Sequence, residues 1–202
     1  MIQQGTDEWF NQRLGKVTAS QIANVLMKPS MAGFQNYAAQ LVCEQLTGLR
    51  QETYKSAAMD YGNETEPQAR AMYELNNDVT VTEVAFINHP TIEMAGASPD
   101  GLVGKDEGLV EIRCPQPSKH LKNIMGGKID RNYMLQMQWQ MRCTGAFWSD
   151  FISFNPAFPD ELQMKQTRVL YDAELVENEI EPAVIAFLAH VEETKQTLLG
   201  KI

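Results

Sequence analysis

The chain has 202 residues, 44% of them hydrophobic and 21% charged; a chain of that length buries roughly 70% of the surface its unfolded form exposes and needs no staple to build a core, so wholesale disorder is excluded. Asp and Glu number 26 against 17 Lys and Arg, a net charge of −9, which repels a polyanion over most of the surface. The chain therefore either never meets nucleic acid or admits it through a local basic channel, and composition does not choose between the two. No apolar run approaches the ~20 residues that cross a bilayer, and the opening Met1-Ile2-Gln3-Gln4-Gly5 has neither a basic stretch nor an apolar one, so a cytoplasmic protein without membrane contact is expected. Cys43, Cys114 and Cys143 form no C-x-x-C pair and no even set; they read as free thiols, and no zinc site is expected.

In chain order, 9–26 reads as helical, with Thr18 and Ser20 placed where a turn interrupts it, because their hydroxyls compete for the backbone. Residues 28–33 form a loop around Pro29 and Gly33, and 36–46 a second helix closed by Gly48. The stretch 56–76 is helical, with a boundary near 64–66 because Pro67 belongs in a first turn. Residues 79–87 are rich in β-branched side chains and read as a strand, followed by strands at 92–97 and 109–114. Helices are expected at 118–125 and 131–143, strands at 147–154 and 163–170, and a long closing helix at 172–199. No repeat, low-complexity segment or linker interrupts the chain. The pattern predicts one domain, 1–202, of the α/β (α+β) class, with a central mixed sheet flanked by helices.

The most informative segment is Ala97-Ser-Pro-Asp-Gly101 followed by Leu109-Val-Glu-Ile-Arg-Cys-Pro115. In a strand, residues i and i+2 face the same way, so Glu111 and Arg113 project together while Val110 and Ile112 pack on the other face. A mid-strand carboxylate is costly to bury without a counter-charge. A hairpin from Asp100 to Glu111 brings two acids within reach of one hard cation, and carboxylates suit Mg²⁺. The plainer reading is a common Pro-Asp-Gly turn beside a solvated strand face. On the helix at 131–143, Tyr133, Gln136 and Gln140 share one face and Met134, Met137 and Met141 another, the methionines reading as core. The three histidines show no metal-ligand spacing; His120 is nearest the acids in sequence, within reach of a phosphate.

Pro99-Asp100 with Glu111-x-Arg113 resembles the PD-(D/E)xK nuclease signature. More narrowly, residues 5–155 resemble the lambda-exonuclease family, the viral recombinase or alkaline exonuclease group. The blocks are Asp7-Glu-Trp9, Arg13-Leu-Gly15, Thr18-Ala-Ser20, Tyr61-Gly62 with Glu66 and Arg70, Ser98 to Gly101, Leu109 to Pro115, and Tyr133 to Gln138. The resemblance implies a restriction-endonuclease-like core that binds Mg²⁺, with Mn²⁺ as a substitute, through Asp100, Glu111 and the carbonyl of Ile112. It places Glu66 beside the metals and Gln136 in a Gln-x-Gln helix motif. It assigns Arg13 and Ser20 to the 5′-phosphate of the digested strand and Met59 to a wedge that opens the duplex end. The activity it implies is 5′→3′ digestion of double-stranded DNA ends, leaving 3′ overhangs for recombination. The implied partners are two further copies in a homotrimeric ring and a single-strand annealing protein. A ring also reconciles DNA binding with the −9 charge, since only its inner surface need be basic.

The family's third catalytic residue is lysine, and this chain has Arg113. Lysine can shed a proton beside metals; arginine cannot. Lowered activity is therefore expected, whether the arginine arose by drift or as a replacement that keeps charge and slows cleavage. Two other functions remain in view. A site-specific endonuclease on the same core needs a major-groove reading element, and none is evident. A nuclease-derived DNA-end or protein-binding module that has lost catalysis is supported by Arg113 and opposed by the retained acids.

Overall fold

The computed structural model describes residues 2–51, 57–104 and 107–201; the side chains of residues 57–59 also lie outside the described part. Helix α1 (Asp7–Arg13) begins at Thr6, whose hydroxyl accepts the Trp9 N–H. A two-residue strand β1 (Val17–Thr18), a 3₁₀ turn and the short α2 (Ile22–Val25) follow. The helix expected over 9–26 is interrupted, as the turn at Thr18 and Ser20 implied, but the break opens already at Leu14, and Val17–Thr18 pair with a distant strand. Helix α3 (Ala32–Thr47) ends at Gly48, whose φ of 65° needs no Cβ-bearing residue to be strained. Helix α4 (Ala57–Asn77) keeps Pro67 in its interior, so the boundary expected near 64–66 is absent. The lost N–H bond is outweighed by burial of Ala69 and Tyr73 on the same helix.

The segment 79–87, expected as one strand, divides into β2 (Val81–Thr82) and β3 (Ile87–Asn88), which enter different sheets. With β4 (Ala95–Ala97), β5 (Gly101–Val103), β6 (Gly108–Arg113), β7 (Trp148–Phe154) and β8 (Met164–Leu170) they build two mixed sheets, ordered β1-β4-β3 and β2-β5-β6-β7-β8. The five-stranded sheet is the central sheet the sequence predicts; the three-stranded one was not foreseen. Strands β6 and β7 run parallel from Gly108↔Trp148 to Arg113↔Ser153. Their connection carries α5 (Pro117–Ile124) and α6 (Arg131–Thr144), as a parallel pair requires. The closing helix is continuous through α7 (Ala173–Leu175), a π turn at Val176–Ile180 and α8 (Glu181–Leu199). The π turn keeps Val176, Ile180, Val184, Phe187 and Val191 in one buried stripe.

Helix α4 covers one face of the large sheet through Ala69 and Tyr73, against Val110, Ile112, Ile152 and Phe154. Helix α6 covers the other, with Met137 and Met141 packed on Leu109 and Phe151. Its opposite side, Leu135, Trp139 and Cys143, joins the helical core of α2, α3 and α8 around β1 and β4. A helix apolar on two sides is buried through its middle, so the polar side chains that α6 does carry there must find partners. Asp150, fully buried on β7, is held by four donors: the Tyr73 hydroxyl at 2.8 Å, the Gln166 amide at 2.9 Å and two Arg168 nitrogens at 2.8 Å. No described helix is long and apolar enough to cross a membrane.

Candidate active site

The chain crosses from the small sheet to the large one over Ser98-Pro99-Asp100, between β4 and β5. Gly101 permits the crossing: a Cβ there would meet Val81 Cγ1 at 2.1 Å. Because Gly101 pairs with Val110, Asp100 falls beside Glu111, and its Oδ2 accepts the Ile112 N–H at 2.7 Å. Glu111 lies on a central strand with no solvent exposure, facing α6. Gln136 Nε2 donates to its Oε1 and Gln140 Nε2 to its Oε2, each at 2.8 Å. The Arg113 guanidinium completes the cluster. It pairs with Glu111 Oε1, donates to the Ile112 carbonyl at 2.9 Å, lies 3.7 Å from Asp100 Oδ2 and reaches Gln136 Oε1 at 3.4 Å. Its central carbon sits 4.8 Å from the centre of the Tyr133 ring.

Three acids meet here, and each resists ionisation. Burial pushes the Glu111 carboxyl up to about 8, against the opposing charge of Arg113 and with help from Asp100. Burial raises Asp100 as well, again opposed by Arg113. Glu66, on α4, is pushed up to about 7 by burial and then by the Asp100 charge, although it holds an ion pair with Arg70 at 2.7 Å. Burial tends to lower Arg113, but Glu111 and Asp100 outweigh it and hold the guanidinium charged. Among the described residues, no group of three or more His, Cys, Asp or Glu is arranged as a complete metal centre. The donor set is instead two carboxylates and one main-chain carbonyl, all oxygen. Asp100 Oδ2, Glu111 Oε1 and Ile112 O converge on a single cationic side chain, so the residues present fit a hard divalent cation.

Arg13 ends α1 next to this cluster. Its Nη1 donates to Ser98 Oγ at 3.1 Å, which also accepts Trp9 Nε1–H at 3.0 Å, and the guanidinium lies 4.1 Å over the Trp9 ring. Burial lowers its pKa to about 10, leaving it charged. Arg13 and Ser20 line one cavity of about 160 Å³ together with Lys16, Gln21, Tyr37 and Arg50. The structure thus brings Asp100, Glu111, Ile112, Arg113, Gln136 and Glu66 into one cluster, and Arg13 and Ser20 into a neighbouring pocket. Met59 lies in the first turn of α4, and its side chain falls outside the described residues. His120 does not reach a phosphate: it is fully buried, with Nδ1 at 2.9 Å from Ser153 Oγ and Nε2 at 2.8 Å from the Leu162 carbonyl. The sequence reading named Ser98 only as part of a motif block, missed Lys16 and Arg50, and gave Gln140 no individual role. Gln140 was visible as a face-mate of Gln136, whereas Ser98 is 85 positions from Arg13 and carried no periodic signal.

Comparison with known proteins bears on the family and the fold. Residues 8–147 match the model of the YqaJ-like viral recombinase domain. The alkaline exonuclease LHK-Exo from Laribacter hongkongensis is 48% identical, with 97% of each chain covered and a TM-score of 0.90. Its complex with dAMP gives 0.91 at the same identity and coverage. A phage-related exonuclease from Haemophilus somnus 129PT shares the fold at a TM-score of 0.72 and 13% identity, over 91% of this chain and 96% of that one. No similar protein was found among curated sequences. With its restriction-endonuclease-like fold and the family match over residues 8–147, this chain belongs to the YqaJ-like viral recombinase family, in the company of the alkaline exonucleases.

Proposed function

We propose that the chain is a Mg²⁺-dependent exonuclease that digests one strand of double-stranded DNA from its 5′ end, leaving a 3′ overhang for annealing recombination, and that Arg113 lowers its turnover. The observation that carries this reading is the convergence of Asp100, Glu111 and the Ile112 carbonyl on one cationic position, next to an arginine anchored two residues before Asp100. Asp100, Glu111 and the carbonyl of Ile112 would hold the cation. When bound, it supplies Lewis-acid polarisation of the scissile phosphate and lowers the pKa of water. Gln136 and Gln140 fix the Glu111 carboxylate through both oxygens, so its orientation is set before substrate arrives. Arg113 directs its charge to the scissile phosphate but cannot take up a proton. Arg13, with the hydroxyls of Ser20 and Ser98, forks around the terminal 5′-phosphate, and this fixes how far the strand enters. Met59 is proposed as the wedge, residues 1–202 as one nuclease domain, and the working form as a homotrimeric ring that hands its overhang to a single-strand annealing protein.

The test uses a linear duplex with a 5′-phosphate and a 3′ label, and a covalently closed circle of the same sequence. Mononucleotides should leave the 5′ end while the 3′ label persists, and the circle should stay intact; cutting of the circle indicates an endonuclease. Asp100→Ala should abolish digestion while the chain still folds and melts cooperatively, with only the modest stability loss of its bond to the Ile112 N–H. Arg13→Ala removes a charge-assisted contact worth about 1.5–3 kcal/mol. Preference for 5′-phosphate over 5′-hydroxyl ends should therefore shrink at least about tenfold. Equal slowing on both ends would leave Arg13 as a general backbone contact.

A further inference from the structure

Arg113 does more than stand where the family pattern has lysine. Its guanidinium already touches each oxygen of the proposed metal position: Glu111 Oε1, the Ile112 carbonyl at 2.9 Å and Asp100 Oδ2 at 3.7 Å. A planar fork bonds several oxygens at once, which a compact ammonium does not. Glu111 also receives amide donors from Gln136 and Gln140, one on each oxygen. A guanidinium and a divalent cation must therefore contest the lone pairs that remain, and like charges repel strongly when buried so close. In this same position the guanidinium carbon lies 4.8 Å from the Tyr133 ring centre, and cation–π attraction to that face helps hold the arginine over the acids. Arg113 is the last residue of β6, with its side chain 29% exposed, so a rotamer change carries the guanidinium outward without moving the backbone.

We propose that Arg113 is a built-in competitor of the divalent cation: braced by the Tyr133 ring, it occupies the Asp100–Glu111 position until a metal ion displaces it toward solvent, which sets this chain's metal affinity below that of a version without the arginine. The inference rests on the metal position assigned above. Apparent affinity falls by the fraction of molecules whose site is open; if about a tenth have Arg113 turned outward, binding weakens about tenfold.

Mn²⁺ binding to the full chain without DNA, followed by calorimetry and by the electron paramagnetic resonance of free Mn²⁺, tests this apart from activity. Arg113→Ala should bind Mn²⁺ about tenfold more tightly than the unaltered chain, and Arg113→Lys should also bind more tightly. Tyr133→Leu should tighten binding in the unaltered chain and leave the Arg113→Ala background unchanged, because the ring acts only by holding the arginine in place. Without metal, Arg113→Ala should melt at lower temperature, and Mn²⁺ should restore most of the loss. Unchanged or weaker Mn²⁺ binding in Arg113→Ala overturns the proposal; if that variant does not fold, the same outcome in Arg113→Lys does so. Asp100→Ala keeps the two readings distinct: Mn²⁺ binding that survives it removes the metal position itself, whereas its loss with equal affinities at position 113 removes only the competition.

Discussion

Glu111 shows how one residue can couple chemistry to pH. Burial pushes the Glu111 carboxyl up to about 8 and Glu66 to about 7, although Arg113 and two amide donors favour the ionised Glu111, so protons compete with a cation for these oxygens near neutral pH. Digestion at limiting Mg²⁺ should therefore rise with pH through 7 to 8, and added Mg²⁺ should move that rise to lower pH. Stability runs the opposite way. A carboxyl with a folded pKa above its unfolded value binds more protons when folded, so its contribution is complete below about 4.5 and is lost as pH climbs past 7 and 8. The metal-free protein should melt at lower temperature at pH 9 than at pH 6, and Mg²⁺ should flatten the difference. A rate profile indifferent to Mg²⁺ concentration would separate these acids from metal binding. The residues behind this behaviour were legible in the sequence because Pro99-Asp100 and Glu111-x-Arg113 form an ordered motif. Their titration was not legible, since it comes from burial between β6 and α6 and not from residue type.

At the scale of elements, what the sequence revealed depended on length and locality. Helix α6 runs 14 residues, long enough for a 3.6-residue period to separate Tyr133, Gln136 and Gln140 from Met137 and Met141, and contacts to Arg113 and Glu111 on one side and core on the other follow that division. Strand β6 alternates as expected, with Val110 and Ile112 packed against α4. Strands β1 and β5 escaped because two or three residues carry no period, and Val17 finds its partner in Ala95 far along the chain. Pro67 misled because local propensity was read without the packing that overrides it. The same packing makes Asp150 a useful contrast with Asp100. Asp150 ties α4 to β7 and β8 through Tyr73, Gln166 and Arg168, and removing a buried charge partner costs about 3–5 kcal/mol. Asp150→Ala should accordingly lower the midpoint of urea unfolding markedly, whereas Asp100→Ala, which loses one backbone donor in place of four side-chain donors, should lower it much less. Comparable losses in both variants would mean that Asp100 is structural.

On the whole molecule, the −9 charge is distributed so that it need not oppose DNA. Residues 9–51 carry Arg13, Lys16, Lys28 and Arg50 against a single acid, Glu44, and Glu44 is buried, accepting the Gly15 N–H at 2.8 Å. Residues 113–131 carry Arg113, Lys119, Lys122, Lys128 and Arg131 against Asp130 alone. These two stretches flank the acid cluster: Arg13 reaches Ser98, and Lys119 lies 5.3 Å from the centre of the same Tyr133 ring that Arg113 faces. Many carboxylates lie in or beside the closing helices, Asp172, Glu174, Glu177, Glu179, Glu181, Glu192 and Glu193 against Lys195 and Lys201, while α4, which brings Glu66 to the cluster, adds Asp60, Glu64 and Glu74 against Arg70. A polyanion that approaches along these two basic stretches should meet less repulsion than one that approaches the closing helices. Each phosphate neutralised by a lysine contributes about 0.9 to the slope of log affinity against log salt. Replacing Lys119 and Lys122 together by Gln should thus reduce the slope for duplex binding, measured by fluorescence anisotropy in Ca²⁺, by about 1.8. Replacing Glu177 and Glu179 by Gln makes the same change in number of charges on the far side and should leave the slope where it was. Should both pairs shift the slope alike, DNA responds to net charge and not to its placement, and the basic approach to the cluster is not the path the duplex takes.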